Sequence, residues 1–188
     1  GLLKSKQATP DDAVAQNALK FIESLVNPEK KHIAGKDPKV QLQNYVTSIN
    51  IMTLIEARQG NKYKAVVGDA VEYLKKLQWD EEEGKNPDND FYGGAGYDSK
   101  SRPDLSNTQT LLDAMKAGRV GPDDPAMKKA LLFVNRCQNI KGETNDRPWA
   151  KLLNDGSFIY TAATGGATKV VDKPLDDGSL PGYGSMTY

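Results

Sequence analysis

Apolar residues recur along this chain at intervals of three and four, the spacing that lines one face of an α-helix. Val14, Ala18, Leu19, Ile22, Leu25 and Val26 form the first such stripe. The preceding Thr9-Pro10-Asp11-Asp12 reads as a helix start: a capping hydroxyl on Thr9, a proline in the first turn and acids facing the positive helix end. Asn27-Pro28 reads as its stop. A second helix is predicted over residues 38–59, from Pro38 to Gln59, with Leu42, Tyr45, Val46, Ile49, Met52 and Ile55 inward and Gly60 as terminator. The third spans residues 62–78, with Val67, Ala70, Val71, Leu74 and Leu77 on its stripe. Asp104 or Ser106 is the expected cap of a fourth, which carries Leu111, Leu112 and Met115 and ends at Gly118 or Gly121. A fifth opens at Pro125 and passes through Met127, Ala130, Leu131, Val134 and Cys137. The expected fold class is all-α.

Three of these helices align without gaps: Asn17 to Val26, Asp69 to Gln78 and Lys129 to Gln138. An alanine, an aliphatic, an aromatic and a second aliphatic recur in register, at intervals of 52 and 60 residues. Those intervals suit a helix pair with variable loops, and stacked pairs bury faces that one pair leaves wet. Phe21, Tyr73 and Phe133 are therefore expected to be equivalent, each on an inner helix and buried. Gln78 and Gln138 stand at the same place after the repeated helix and are expected to bond to backbone at the start of the next loop or helix. Two long loops separate the repeats, about 79–103 and 139–184, the second with a candidate short β-hairpin around Ser157-Phe158-Ile159-Tyr160 and Gly165-Gly166. Loops of that length are uncommon unless they are functional or disordered.

Composition narrows the chemistry. The 188 residues suit one domain, 1–188, and 38% are hydrophobic, enough for a core with broad solvated faces. Twenty-five basic residues balance twenty-five acidic ones, so net charge gives no case for nucleic acid or an anionic lipid surface. No apolar run approaches the roughly 20 residues of a membrane span. Cys137, the single cysteine, cannot form an internal disulfide, which leaves the compartment open. Gly93-Gly94-Ala95-Gly96 lacks the Gly-Lys-Ser/Thr ending of a phosphate loop and reads as a tight turn. Asp88-Asn89-Asp90 and Asp176-Asp177 are weak candidates for acid-base work, because only a buried or partnered carboxyl has the raised pKa this needs. His32 in a polar loop and Cys137 on an apolar stripe make neither a zinc set nor a nucleophile pair. No cofactor or metal is expected. Trp79, Phe91, Tyr92, Tyr97, Trp149, Phe158 and Tyr160 are either the lining of a ligand cleft or covers over the helix ends.

Gly94-Ala95-Gly96-Tyr97, Asp104-Leu105-Ser106-Asn107-Thr108-Gln109, and Cys137-Gln138-Asn139 followed by Asp155-Gly156-Ser157-Phe158 resemble the α/α-toroid superfamily. More closely, they are similar to bacterial proteins with prenyltransferase and squalene oxidase repeats, and Tyr183 to Tyr188 resembles the start of an outer helix in that family. The resemblance implies inner and outer helices alternating in part of a toroid. It implies that Gln78 and Gln138 tie one repeat to the next, although Tyr97 and Phe158 stand where the squalene cyclases have tryptophan. The Asp-x-Asp-Asp acid of the cyclases and the zinc ligands of the protein prenyltransferases have no counterpart here. The expected function is a non-catalytic binding or scaffold module with an apolar or carbohydrate ligand. The alternatives are a fragment of a terpenoid cyclase or prenyl-transfer enzyme whose catalytic residues lie outside this chain, and a carbohydrate-active helical barrel. The resemblance favours an exported bacterial protein. With five helices and the start of a sixth, the toroid is expected to be incomplete, its open face covered by self-association or a protein partner.

Overall fold

Why each helix stops where it does is local chemistry; which face it buries is not. The computed structural model describes residues 2–37 and 42–187. Among them are six α-helices and no strand: α1 (Ala13–Ser24), α2 (Gln43–Glu56), α3 (Lys64–Lys75), α4 (Leu105–Ala117), α5 (Pro125–Arg136) and the one-turn α6 (Gly184–Thr187). The all-α class is what the periodicity requires. Pro125 opens α5 as expected, and the Asp124 carboxylate caps it by accepting the Ala126 N–H at 2.9 Å. α4 is capped by Asp104, whose two oxygens accept the backbone and side-chain N–H of Asn107, both at 2.9 Å. At α1 the expected start moves: Thr9 is not the cap. The helix begins behind Asp12, whose carboxylate accepts the Thr9 N–H at 2.7 Å. The expected start of the second helix at Pro38 lies outside the described residues.

The described chain forms two compact units. One comprises Gly1–Lys76 with Thr110–Gly121, the other Leu77–Gln109 with Pro122–Tyr188. In the first, Leu19 and Ile22 of α1, Ile51 and Leu54 of α2, Ala70, Val71 and Leu74 of α3, and Leu111 and Met115 of α4 are buried. In the second, Phe133 and Cys137 pack with Leu105, Trp149, Ile159 and Leu180.

The same corner follows α1, α3 and α5. Asn27, Trp79 and Asn139 each donate their backbone N–H across the corner, to the carbonyls of His32 (2.9 Å), Gly94 (2.9 Å) and Ser157 (2.7 Å). Their own carbonyls accept from Lys31, Gly93 and Gly156, the three residues with φ of 63°, 81° and 78°. One residue on, a threonine from the following helix accepts the next free N–H: Thr47 from Ile33 (3.3 Å), Thr108 from Ala95 (3.0 Å) and Thr187 from Phe158 (3.2 Å). Three corners with the same bonds, closed across loops of different length, make this a helix-pair repeat. They also make α6 the counterpart of the beginnings of α2 and α4.

The burial of the repeated aromatics differs from the expectation. Phe133 is fully buried and Tyr73 half-buried, whereas Phe21 is 65% exposed. The register is shared, but the neighbour that covers the ring is not. The α2 face is also corrected. Its buried side is polar, with Asn44, Thr47, Ser48 and Asn50 beside Ile51 and Leu54, while Leu42, Ile49 and Ile55 are exposed. Corner chemistry is the reason: Thr47 serves the Ile33 N–H and Asn50 donates to the Ile33 carbonyl at 2.8 Å, so those polar groups must face inward. The expected hairpin is reduced to one antiparallel bridge, Thr161 with Ala167, closed across Gly165-Gly166 without strands.

His32 is another departure, since it is buried rather than in a polar loop. Its Nδ1 accepts the Ala34 N–H at 3.2 Å, and its ring meets Tyr73 edge-on at 5.0 Å. Burial, helped by the nearby Lys30 charge, pushes its pKa below the ordinary value. Folding therefore excludes a proton that the unfolded chain binds once pH drops below about 6.5. The stability contributed by neutral His32 is whole above that pH and is lost as pH falls toward the lower folded-state pKa. Urea midpoints are expected to fall between about pH 7.5 and pH 5.5, and to fall less in His32→Gln; equal slopes for the two chains would remove the assignment.

Candidate functional site

Part of the apolar surface that α1 and α2 leave unburied lines an open cleft of about 810 Å3 within the first unit, while Phe21 lies outside it. Val14, Ala15 and Ala18 of α1 form one wall, and Ile49, Met52 and Ile55 of α2 form another. The last turns of α4 close a third side through Ala117, and Leu2 and Leu3 border the opening. Lys4, Glu56, Asp113 and Lys116 mark its rim, two charges of each sign, so the cleft has no strong net field. Cavities of roughly 300–1,000 Å3 with apolar walls and a few polar groups are the usual form of a small-molecule site. Val14 is 74% and Ile49 52% exposed, an arrangement that leaves apolar surface in water unless something covers it.

The sequence-predicted site residues lie elsewhere. Asp90 is ion-paired to Arg147 at 2.6 Å, and its other oxygen accepts the Gly165 N–H at 3.2 Å. The Asp88 carbonyl accepts from Arg147 at 3.1 Å, and Arg136 donates to the carbonyls of Pro87 and Asn89. These two arginines hold the Asp88-Asn89-Asp90 loop in place. Asp176 and Asp177 are exposed, and the Ser179 hydroxyl and N–H hold the Asp177 carboxyl below its usual range. The carboxyl that burial raises is Asp104, but it is enclosed, and both its oxygens are occupied by Asn107. Burial also pushes the Cys137 thiol up, away from thiolate chemistry. Among the described residues, no three histidine, cysteine or acidic side chains are placed to hold a metal ion.

The loop aromatics separate into several settings. Trp149 is buried, with its indole N–H donated to the Arg136 carbonyl at 3.1 Å. Tyr92 is buried and donates to Glu81 at 2.8 Å, next to Lys129, whose ammonium holds that carboxyl down to about 2. Trp79 stacks edge-on with Phe91 beneath Lys85, and Tyr160 meets Tyr183 edge-on beneath Lys169. Phe158 packs against the core of the second unit, and Tyr97 is exposed.

The two repeat glutamines both bond to backbone. Gln78 Nε2 donates to the carbonyls of Gly93 (3.0 Å) and Ala126 (2.9 Å), so it joins its own corner to the first turn of α5. Gln138 Nε2 donates to the equivalent carbonyl, Gly156, at 3.1 Å. Sequence reading misses the cleft residues Ile49 and Met52 because it assigns their stripe to the core. It also misses the corner threonines; aligning the starts of α2, α4 and α6 would expose Thr47, Thr108 and Thr187 at one register.

No family model, curated protein or solved structure matches the chain. Among the described residues, no helix is long and apolar enough to cross a membrane.

Proposed function

We propose that this chain is a non-catalytic binding module of the prenyltransferase and squalene cyclase repeat type, and that the cleft of its first unit receives an apolar small molecule. The observation that carries this reading is the cleft, whose apolar wall on α2 is formed by Ile49, Met52 and Ile55. The thrice-repeated corner supports the helix-pair architecture that the resemblance implies. The carboxylates of Asp90 and Asp104 support a non-catalytic role, since both are bound up in structural bonds. Each buried methylene of a ligand contributes about 0.8 kcal/mol in such a site, so an acyl or polyene chain gains affinity without a specific polar anchor.

The test is titration with a polyene fatty acid whose fluorescence rises in an apolar site. Ala18 is exposed and lies on the cleft wall, so Ala18→Trp fills the space without disturbing the core. Probe affinity is expected to fall at least tenfold while the helical circular dichroism is unchanged. Equal affinity in wild type and Ala18→Trp would overturn the cleft as the site. Turnover of squalene or a prenyl diphosphate by the pure chain would overturn the non-catalytic reading instead.

A further inference from the structure

Both units contain a junction in which an aromatic ring of a later helix meets an earlier corner. In the second unit the Phe133 ring of α5 lies over Gly94, so close that a β-carbon there would stand 2.6 Å from it. Gln78 ties the same junction, donating to the carbonyls of Gly93 and of Ala126 in the first turn of α5. At its edge Lys129 pairs with Asp80 (2.9 Å) and Glu81 (2.6 Å).

The first unit builds its junction from different residues. By the corner bonds His32 stands where Gly94 does. By the helix register Tyr73 stands for Phe133 and Val26 for Gln78. A buried imidazole therefore fills the place of the bare glycine, and its ring meets Tyr73 edge-on at 5.0 Å. Val26 has no donor with which to reach α3. The edge pair is reversed, with Lys31 of the corner on Asp69 of α3 at 3.1 Å, and both of its side chains are more than half exposed, so it adds little. The buried contact that Phe133 and Gly94 make in the second unit falls here to Tyr73 and a titratable ring.

We propose that this junction is a pH-operated joint: a proton taken up by His32 parts the first corner from α3, while the junction built on Gly94 stays closed. The Nδ1 of His32 already accepts the Ala34 N–H at 3.2 Å, so a proton there sets donor against donor. Of the charged groups around the ring, Lys30 acts on it with the same sign, Lys31 and Asp69 pair with each other at the rim, and Glu29, Lys36 and Asp37 of its own loop are exposed. The buried polar side chains of α2 are uncharged, namely Asn44, Thr47, Ser48 and Asn50, and α3 presents the Tyr73 ring. A buried cation without a counter-ion loses more hydration than a neighbouring aromatic ring returns. The start of α3 is fastened separately. Tyr63 donates to Glu23 of α1 at 2.7 Å, and Lys62 and Tyr63 hold that carboxyl below its ordinary value, so this end stays tied while His32 titrates. The joint does not depend on what fills the cleft.

Hydrogen exchange resolved by residue on the full chain, between about pH 7.5 and about pH 5.5, tests this. The chain has a single histidine, so its imidazole resonance follows the same proton directly. Opening linked to one proton is expected to grow by up to about tenfold for each pH unit lost below about 6.5. Protection factors of the Ile33 and Ala34 amides are expected to fall accordingly, while the Ala95 amide of the second corner keeps its protection. In His32→Gln, whose side-chain oxygen can accept the Ala34 N–H without titrating, that pH dependence is expected to disappear. If this variant does not fold, the comparison of Ala34 with Ala95 in wild type decides alone. Parallel loss of protection at Ala95 would mean global unfolding and overturn the joint. So would protection at Ala34 that does not follow the imidazole titration, or a pH dependence that persists in His32→Gln.

Discussion

Phe133→Ala is expected to lower the stability of the chain by about 3–5 kcal/mol. The ring is fully buried, in a cluster with Leu105, Cys137, Trp149, Ile159 and Leu180. Removing it takes away the transfer free energy of the ring and leaves a cavity whose opposite wall is Gly94 backbone, which has no side chain to refill it. The aligned Phe21→Ala provides the internal control. Phe21 is in the same register but 65% exposed, and its truncation is expected to cost under about 1 kcal/mol, the range of surface changes. Urea denaturation of the two variants checks this. Equal losses would mean that the aromatic contributes through the repeat pattern rather than through its neighbours.

Gly93→Ala should be nearly as damaging. Gly93 has φ of +81°, and a β-carbon built on it would lie 1.8 Å from the Lys129 carbonyl oxygen, a backbone atom that cannot turn aside. A left-handed backbone costs an L-residue about 1–2 kcal/mol, and overpacking typically adds about 1–3 kcal/mol. Together they give an expected loss of about 2–5 kcal/mol. Gly156 separates the two causes. Its φ is +78°, but its nearest neighbour to an added β-carbon is the Ile140 side chain at 3.5 Å, so Gly156→Ala is expected to carry the backbone cost alone. Thermal or urea unfolding of both variants makes the comparison. If Gly156→Ala loses as much as Gly93→Ala, the closeness of α5 is not what selects glycine at the second corner.

The sequence by itself determined the all-α class, the opening of α5 at Pro125, the stop of α1 before Asn27-Pro28, and the equivalence of the segments ending at Gln78 and Gln138. Each of these rests on chemistry within a few residues: proline lacks an N–H, apolar side chains three and four apart share a helix face, and a repeated pattern brings repeated bonds. The tertiary structure alone decided which apolar stripe became core. α2 has two faces that could be buried, and the more apolar one lost, because the corner needed Thr47 and Asn50 facing inward to meet the Ile33 backbone. An unpaired backbone N–H or carbonyl in the interior costs about as much as a lost hydrogen bond, so satisfying the corner outweighed hiding Ile49 and Ile55. The same dependence on distant partners decided the carboxylates. Nothing near Asp90 in the sequence announces Arg147, and nothing near Asp104 announces its enclosure. Phe21 and Phe133 match in register and differ in fate for the same reason. A local pattern specifies which side a residue faces, but only the neighbour that arrives there decides whether that side is interior or surface.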